Sequence, residues 1–184
     1  MIHPMKYVFF PILMVCISLC VSCAEPRTVT HSQVLEGFQA SKAGGRVFIL
    51  LPGDKEGFVS SDQAQKEQTR AEFGKALKEK GWQPIRDFRR SDYVLACNPS
   101  LTEDGPLTYT TLATPGGRTV MTDPSYLVRW NMRLVKVGLD WQPEKEVWNG
   151  SAACVCIEPG DLAFRDKVGT SLIREQLPSR TPKP

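Results

Sequence analysis

The segment from Tyr126 to Val137 alternates apolar and polar positions more regularly than any other part of the chain. The apolar positions are Val128, Trp130, Met132 and Leu134, and the polar positions between them are Arg129, Asn131 and Arg133. Because successive side chains of a strand point to opposite sides of a sheet, this pattern predicts a strand with one buried and one solvent-facing side. Residues 146–157 supply its predicted partner strand, after a turn at residues 138–145.

Two earlier segments have the apolar composition of buried strands. Arg46 to Pro52 contains five consecutive apolar residues and is closed by a Pro-Gly pair, which is typical of a strand buried on both sides. Asp92 to Cys97 is a second, shorter apolar segment. Near the N-terminus, Val34 to Phe38 is a weaker apolar patch that predicts an edge strand.

The middle of the chain predicts a hairpin. The threonine-rich segments 108–113 and 118–122 flank a loop that contains Pro115 and two glycines, which is a hairpin signal. Residues 98–106 form a predicted loop before it, and the pair at residues 123–124 is predicted to break the chain after it.

Capping residues delimit two predicted helices. Ser60 and Gln63 have the spacing of a capping box, and Gly81 stands where the first helix would end. Asp161 is the predicted N-cap of the second helix, which Pro178 would terminate. The order of strand, helix, strands and helix predicts an α+β fold: a largely antiparallel sheet with both helices packed on one face.

The N-terminus reads as an export signal. The apolar run from Tyr7 to Val21 is shorter than the roughly twenty residues that span a bilayer, and it fits a signal peptide over residues 1–22. The stretch from Leu19 to Cys23 resembles the lipobox of bacterial lipoproteins, with Cys20 where that family prefers leucine. The resemblance implies lipidation of Cys23 and, because Ala24 follows, sorting to the outer membrane on its periplasmic side. Cleavage after Ala24 without lipid is the alternative.

The rest of the chain divides into three predicted parts. Residues 23–45 form a tether with the edge strand, residues 46–178 form a single α+β domain, and residues 179–184 form a disordered tail. The order of these elements resembles a family of small bacterial envelope lipoproteins that is defined only as a domain of unknown function. The features that carry the resemblance are a buried strand ending in Pro52, a helix ending in Gly81-Trp82, and strands at residues 92–95 and 147–150. The resemblance implies no catalytic residues.

Charge and histidine content exclude several classes of function. The formal net charge is +3 without a clustered basic stripe, so we predict no nucleic-acid partner. The two histidines, His3 and His31, lie in the predicted signal peptide and tether, whereas a catalytic or zinc-binding histidine must be held by packing. Without a phosphate-binding glycine motif either, we predict no catalytic residue, no cofactor, no metal site and no enzyme activity.

Three cysteines follow Cys23. Cys154 and Cys156 are two positions apart on one strand and therefore too far apart to bridge each other, at roughly 6.5–7 Å. In an oxidising compartment we expect either a disulfide of Cys97 with Cys154 or Cys156, or three buried thiols that pack as small apolar groups. A redox role for these cysteines is a weaker alternative.

Two hypotheses of function from different classes follow. The first is a binding or scaffolding lipoprotein, held to the lipid membrane by its acylated N-terminus, that contacts an envelope protein partner through the hairpin from Leu107 to Thr122. The second is a cell-wall hydrolase whose carboxylates the sequence does not identify.

Overall fold

Six strands form one sheet, with two helices packed on it. The computed structural model describes residues 28–40, 45–54, 63–114, 117–138, 142–158 and 160–180. The strands are β1 (Val29–Val34), β2 (Arg46–Leu50), β3 (Gln83–Ile85), β4 (Tyr93–Thr114), β5 (Gly117–Val137) and β6 (Pro143–Cys156), and the helices are α1 (Gln63–Glu79) and α2 (Leu162–Gln176). The predicted signal peptide and Cys23 lie outside the described residues.

The strand order across the sheet is β1-β6-β5-β4-β2-β3. β2 runs parallel to both β3 and β4, and the other neighbouring pairs are antiparallel. The parallel pairs follow from α1, which crosses over the sheet between β2 and β3. The predicted α+β fold with a largely antiparallel sheet is therefore confirmed.

Both helices cover the same face of the sheet. The ring of Phe73 on α1 meets Trp130 on β5 edge to face, with centroids 5.0 Å apart. Gly169 on α2 lies so close to Phe73 and Met132 that a Cβ at this position would be 2.6 Å from the phenyl ring. The helix pair and β5 thus form one continuous apolar layer.

The alternation predicted for β5 is confirmed. Its inward-facing positions are at most 3% exposed: Val128, Trp130, Met132 and Leu134. Arg129, Asn131 and Arg133, which lie between them, face solvent. Trp130 also donates its indole N–H to the carbonyl of Arg165 at 2.7 Å, which ties α2 to the sheet. A buried indole with a satisfied N–H adds packing area at no polar cost.

Three boundaries differ from the sequence predictions. The predicted loop at residues 98–106 belongs to β4, and the predicted break at residues 123–124 belongs to β5, so the hairpin is much longer than expected. The edge strand expected at Val34 to Phe38 lies earlier, as β1. At the other end, Arg180 of the predicted tail donates its backbone N–H to Lys80 and lies 5.6 Å from the ring of Trp82.

Candidate functional site

The distal half of the β4–β5 hairpin extends beyond the rest of the sheet. The pairing of β4 with β2 ends at Ala96, and the pairing of β5 with β6 ends where Tyr126 faces Cys156. Beyond these points, within the described residues, the two strands pair only with each other. At about 3.3 Å per residue the two-stranded extension reaches roughly 30 Å past Tyr126. We call residues 105–114 and 117–125 the ribbon.

A bulge fixes the base of the ribbon. The register of β4 against β5 shifts between Glu103 and Gly105, which leaves Asp104 unpaired. Gly105 has a φ of +97°, a conformation that residues with a Cβ rarely adopt. The buried hydroxyl of Ser125 donates to the carbonyl of Gly105 at 3.0 Å. A bulge bends the strand that carries it, and this hydrogen bond joins the two strands at the bulge.

The surface of the ribbon is nearly uncharged and partly apolar. Between Leu107 and Thr122 the sequence contains Arg118 as its single charged residue. Leu107, Val120 and Met121 are 39%, 66% and 42% exposed. Val120 and Met121 are neighbours in β5, so Met121 shares one face of the ribbon with Leu107 and Val120 lies on the other face. Exposed apolar side chains on both faces of a projecting hairpin are candidates for contact with a partner. The hairpin predicted at residues 107–122 is present, and it is the most prominent exposed element among the described residues.

A second concave feature lies beside α1. A groove of about 700 Å³ separates α1 from the ends of β2 and β3. Arg70 donates to Asp54 at 2.6 Å and to Glu67 at 2.7 Å, and Asp54 also accepts the backbone N–H of Leu51 at 2.7 Å. The two carboxylates are thus bound to one guanidinium and to the backbone. This arrangement joins the loop after β2 to α1, and it is the kind of ion-pair network that serves structure.

The three described cysteines are free thiols. Cys97 on β4 faces Met132 on β5, which faces Gly150 on β6, so β5 separates Cys97 from Cys154 and Cys156. Two strand spacings are roughly 10 Å, which exceeds the Cα separation of 4.4–6.8 Å that a disulfide allows. The predicted disulfide of Cys97 with Cys154 or Cys156 is therefore wrong, because the sheet order keeps them apart.

The alternative reading of these cysteines as small packing groups fits their surroundings. Cys97 and Cys154 are 1% and 2% exposed within the apolar layer under the helices. Burial raises the pKa of the Cys97 thiol well above its usual range, and burial also raises the pKa of Cys154 and Cys156. A thiol held protonated is a poor nucleophile and a poor metal ligand.

No cluster of three or more His, Cys, Asp or Glu that could hold a metal occurs in the part of the chain that the structure describes. His31 lies on β1 opposite Ser151 and is exposed. Within the same residues, none of the helices has both the length and the apolar character needed to cross a membrane.

One buried acid was not foreseen. Asp166 on α2 is 5% exposed and accepts the hydroxyl of Thr69 on α1 at 2.9 Å. Burial raises its pKa, against the opposing effects of Thr69 and Arg165. The contact joins the two helices, and the 97 positions that separate the partners leave no local pattern from which it could be predicted.

Comparisons with known proteins assign no family. No family model and no curated protein matches the chain. Solved structures with some likeness include a PelC dodecamer from Paraburkholderia phytofirmans, with 9% identity and a TM-score of 0.44 over 80% of this chain and 96% of that chain. A DUF4136 family protein from Bacteroides thetaiotaomicron has 12% identity and a TM-score of 0.40 over 79% and 91%.

A minor lipoprotein from Acinetobacter baumannii has 12% identity and a TM-score of 0.31 over 70% of this chain and 83% of that chain. At these identities and TM-scores the likeness assigns neither a family nor a function.

Proposed function

We propose that the chain is a lipid-anchored protein of the bacterial cell envelope that binds a protein partner through its ribbon. The observation that carries this proposal is the extension of the β4–β5 hairpin beyond the sheet, with Leu107 exposed near its base and Val120 and Met121 exposed midway along its β5 strand. Maintaining exposed apolar side chains on a projecting element costs solubility, which a binding role would explain.

The base of the ribbon supports the same role. The bulge at Asp104 and the bond from Ser125 to Gly105 lie close to Val128 and Trp130 of β5, which are buried under the helices. An element held in one direction before binding loses less conformational freedom when a partner docks. The ribbon is therefore suited to present a preformed contact surface.

The proposed anchor is Cys23, and its distance from the sheet is limited by covalent geometry. β1 begins at Val29 and pairs with β6 from Ala153 onwards. Six residue steps between Cys23 and Val29 span at most roughly 20 Å. A diacylglyceryl group with a further acyl chain would hold the protein stably at a membrane, and Ala24 after the cysteine favours the outer membrane.

The ribbon hypothesis is tested by shortening the hairpin without disturbing its base. Replacement of residues 108–122 by Asn-Gly would join Leu107 and Asp123, which face each other in β4 and β5, through a two-residue turn. The full chain and the shortened variant are expressed in parallel and cross-linked in intact cells. We expect a cross-linked partner protein to be lost in the shortened variant, whose thermal unfolding should match that of the full chain.

A surface variant provides the matched control. Substitution of Leu107, Val120 and Met121 by threonine keeps the ribbon and removes its exposed apolar side chains. If apolar contact drives binding, this variant loses the same partner. Retention of the partner by the shortened chain would refute the proposal, whatever the surface variant does.

The anchor has its own test. Intact mass of the protein from the membrane fraction is compared with that of a Cys23→Ser variant. The proposal requires a mature chain that begins at Cys23 and carries acyl chains, and it requires that this mass be absent from the variant. A lipid-free chain that begins at Glu25 would contradict it. The hydrolase alternative stays a prediction, and no observation among the described residues favours it.

A further inference from the structure

The outer edges of the ribbon carry backbone groups that pair with no strand among the described residues. Pro106 on β4 stands directly opposite Pro124 on β5. Proline has no N–H, so this pair cannot exchange backbone hydrogen bonds and must be a non-hydrogen-bonded pair. The register is constant from there to Leu112, which faces Arg118. Every second residue therefore points its N–H and C=O away from the partner strand.

The hydroxyls of Thr108 and Thr122 independently support this assignment of the outward-pointing residues. Their Oγ1 atoms lie 3.2 Å apart, and side chains approach most closely in non-hydrogen-bonded pairs. Thr122, Val120 and Arg118 thus direct their backbone donors and acceptors outward along the edge of β5. They form a short row of strand groups with which no other strand among the described residues pairs.

Proline protects the edges of the hairpin near its base but not near its end. Pro99 and Pro106 remove donors from the outer edge of β4, and Pro124 removes one from the outer edge of β5. Edges of natural sheets are commonly protected by proline or by charge, because a free edge pairs with other strands. From Arg118 to Thr122 the β5 edge has no proline. Its single charged residue, Arg118, is at one end of this segment, and Val120 at its centre is 66% exposed.

We infer that this edge of β5 pairs with the same edge of a second copy of the chain. In an antiparallel pair centred on Val120, the Val120 residues of the two copies would face each other, and Arg118 of one copy would face Thr122 of the other. The two arginines would then lie at opposite ends of the pair, where they do not repel each other. Because both copies use the same edge, the contact is isologous and closes as a two-fold dimer. Pro124 limits the length of the paired segment.

The position of the proposed anchor favours a second copy as the occupant. Val29 is paired with Ala153, close to the end of the sheet from which the ribbon leaves, so the short segment from Cys23 enters the domain at that same end. This step rests on the proposed function. Copies anchored through so short a segment hold the bases of their ribbons at a similar distance from one membrane surface, which raises the effective concentration of like edges.

The proposed contact is small, so formation of the dimer should depend on the membrane. A few residues from each strand bury much less than the roughly 1,200 Å² of a stable interface. The dimer should therefore be weak in dilute solution and populated at the membrane surface. Dependence on the membrane distinguishes this dimer from non-specific strand aggregation. Such aggregation would increase with total protein concentration both in solution and at the membrane.

Cysteine cross-linking of the full chain in membranes tests the inference. In the proposed dimer the two Val120 residues form a hydrogen-bonded pair with Cα atoms about 5.5 Å apart, which suits a disulfide. With an added oxidant, Val120→Cys should give a disulfide-linked dimer on a non-reducing gel. Thr122→Cys should not, because the two copies of that residue would be roughly 14 Å apart.

A double variant strengthens the test. Arg118→Cys and Thr122→Cys would each give no dimer alone, whereas the variant that combines them should cross-link, because each residue faces the other across the two-fold axis. The unsubstituted chain, analysed in parallel, measures cross-linking through the cysteines already present. A Val120→Pro variant that also carries Arg118→Cys and Thr122→Cys should lose the cross-link, because it lacks the central donor.

Equal cross-linking at Val120 and Thr122, or none at Val120, would overturn the inference. If Val120→Cys reacts with a lipid-embedded thiol probe and forms no dimer, the edge contacts lipid and the inference is wrong. None of these outcomes affects the partner test with the shortened ribbon, so failure of the dimer and failure of the proposed function are distinguishable.

Discussion

Gly169 of α2 lies directly against the ring of Phe73 of α1, so that a Cβ at Gly169 would meet the ring at 2.6 Å. Met132 closes the same space from the sheet, with its Cε 3.1 Å from that Cβ. The closest approach of the two helices thus depends on the absence of one methyl group. Rings and backbone in a packed layer have little room to yield.

The variant Gly169→Ala should be destabilised by about 1–2 kcal/mol. Overpacking costs about 1–3 kcal/mol, and the better helix propensity of alanine offsets up to about 1 kcal/mol of this. Urea unfolding measures the change. A Phe73→Leu substitution in the same chain should recover part of the loss, because it removes the ring from the contact. Strict additivity of the two substitutions would contradict the contact.

Asp166 should make stability depend on pH in a defined direction. Burial raises its pKa in the folded chain above the ordinary value of 3.8. The folded state then binds more protons than the unfolded state between the two pKa values, so stability falls as pH rises through that interval. Asp166→Asn keeps an acceptor for Thr69 and removes the titration. Its free energy of unfolding should fall less over that interval.

The measurement is urea unfolding at several pH values from the ordinary aspartate pKa upwards. Glu158→Gln, at an exposed position, is measured in parallel as the control. An Asp166→Asn profile parallel to that of the unsubstituted chain would show that this carboxyl titrates alike in both states.

The N-cap of α2 predicts a smaller effect. Asp161 accepts the backbone N–H of Phe164 at 3.0 Å. Asp161→Ala removes this acceptor and should cost about 1 kcal/mol. Asp161→Asn retains it and should cost much less in the same unfolding experiment. A similar loss in both variants would assign the effect to charge and not to the cap.

The effect of a proline substitution along β5 should alternate from one residue to the next. Val120 points its N–H outward, whereas Met121 faces Tyr109 in a hydrogen-bonded pair. Val120→Pro should leave the ribbon intact, and Met121→Pro should open it, since proline there removes a donor from the pairing. Limited proteolysis within residues 107–122 distinguishes the two variants. Equal cleavage of both variants would refute the assignment, made from Pro106 and Pro124, of which residues point their N–H groups outward.

The thiols should differ in reactivity. Cys97 is 1% exposed and burial raises its pKa, whereas Cys156 is only partly buried. Under brief alkylation of the folded chain, we expect modification of Cys156 well before Cys97, measured by mass spectrometry of the peptides. In urea the two should react at similar rates. Fast labelling of Cys97 in the folded chain would show that the layer under the helices opens readily.

The central strands were predictable because burial leaves a periodic pattern. β5 is covered on one side only, so its side chains alternate between apolar and polar. β2 is a short run of apolar residues that Pro52 follows closely. The ends of the helices were marked by Asp161 and Gly81, whose roles are local. Local rules of this kind do not depend on the rest of the fold.

β1 and the base of the ribbon were missed for physical reasons. Thr30 and Ser32 of β1 face α2 through hydrogen bonds to Glu175 and Gln176, so the covered side of this strand is polar and shows no apolar alternation. The loop prediction at residues 98–106 came from prolines, a glycine and acids. In the hairpin the prolines occupy outward-facing positions and the bulge accommodates Asp104, so none of them ends the strand.

The position of Arg180 has a practical consequence for handling the molecule. Its side chain lies over Trp82 and its backbone is bonded to Lys80, near the residues where β2 and β4 begin. The ribbon and the start of β1 are at the opposite end of the sheet. A reporter or affinity label that follows Arg180 would therefore start far from both, and such a fusion is not expected to interfere with anchoring or with contacts of the ribbon.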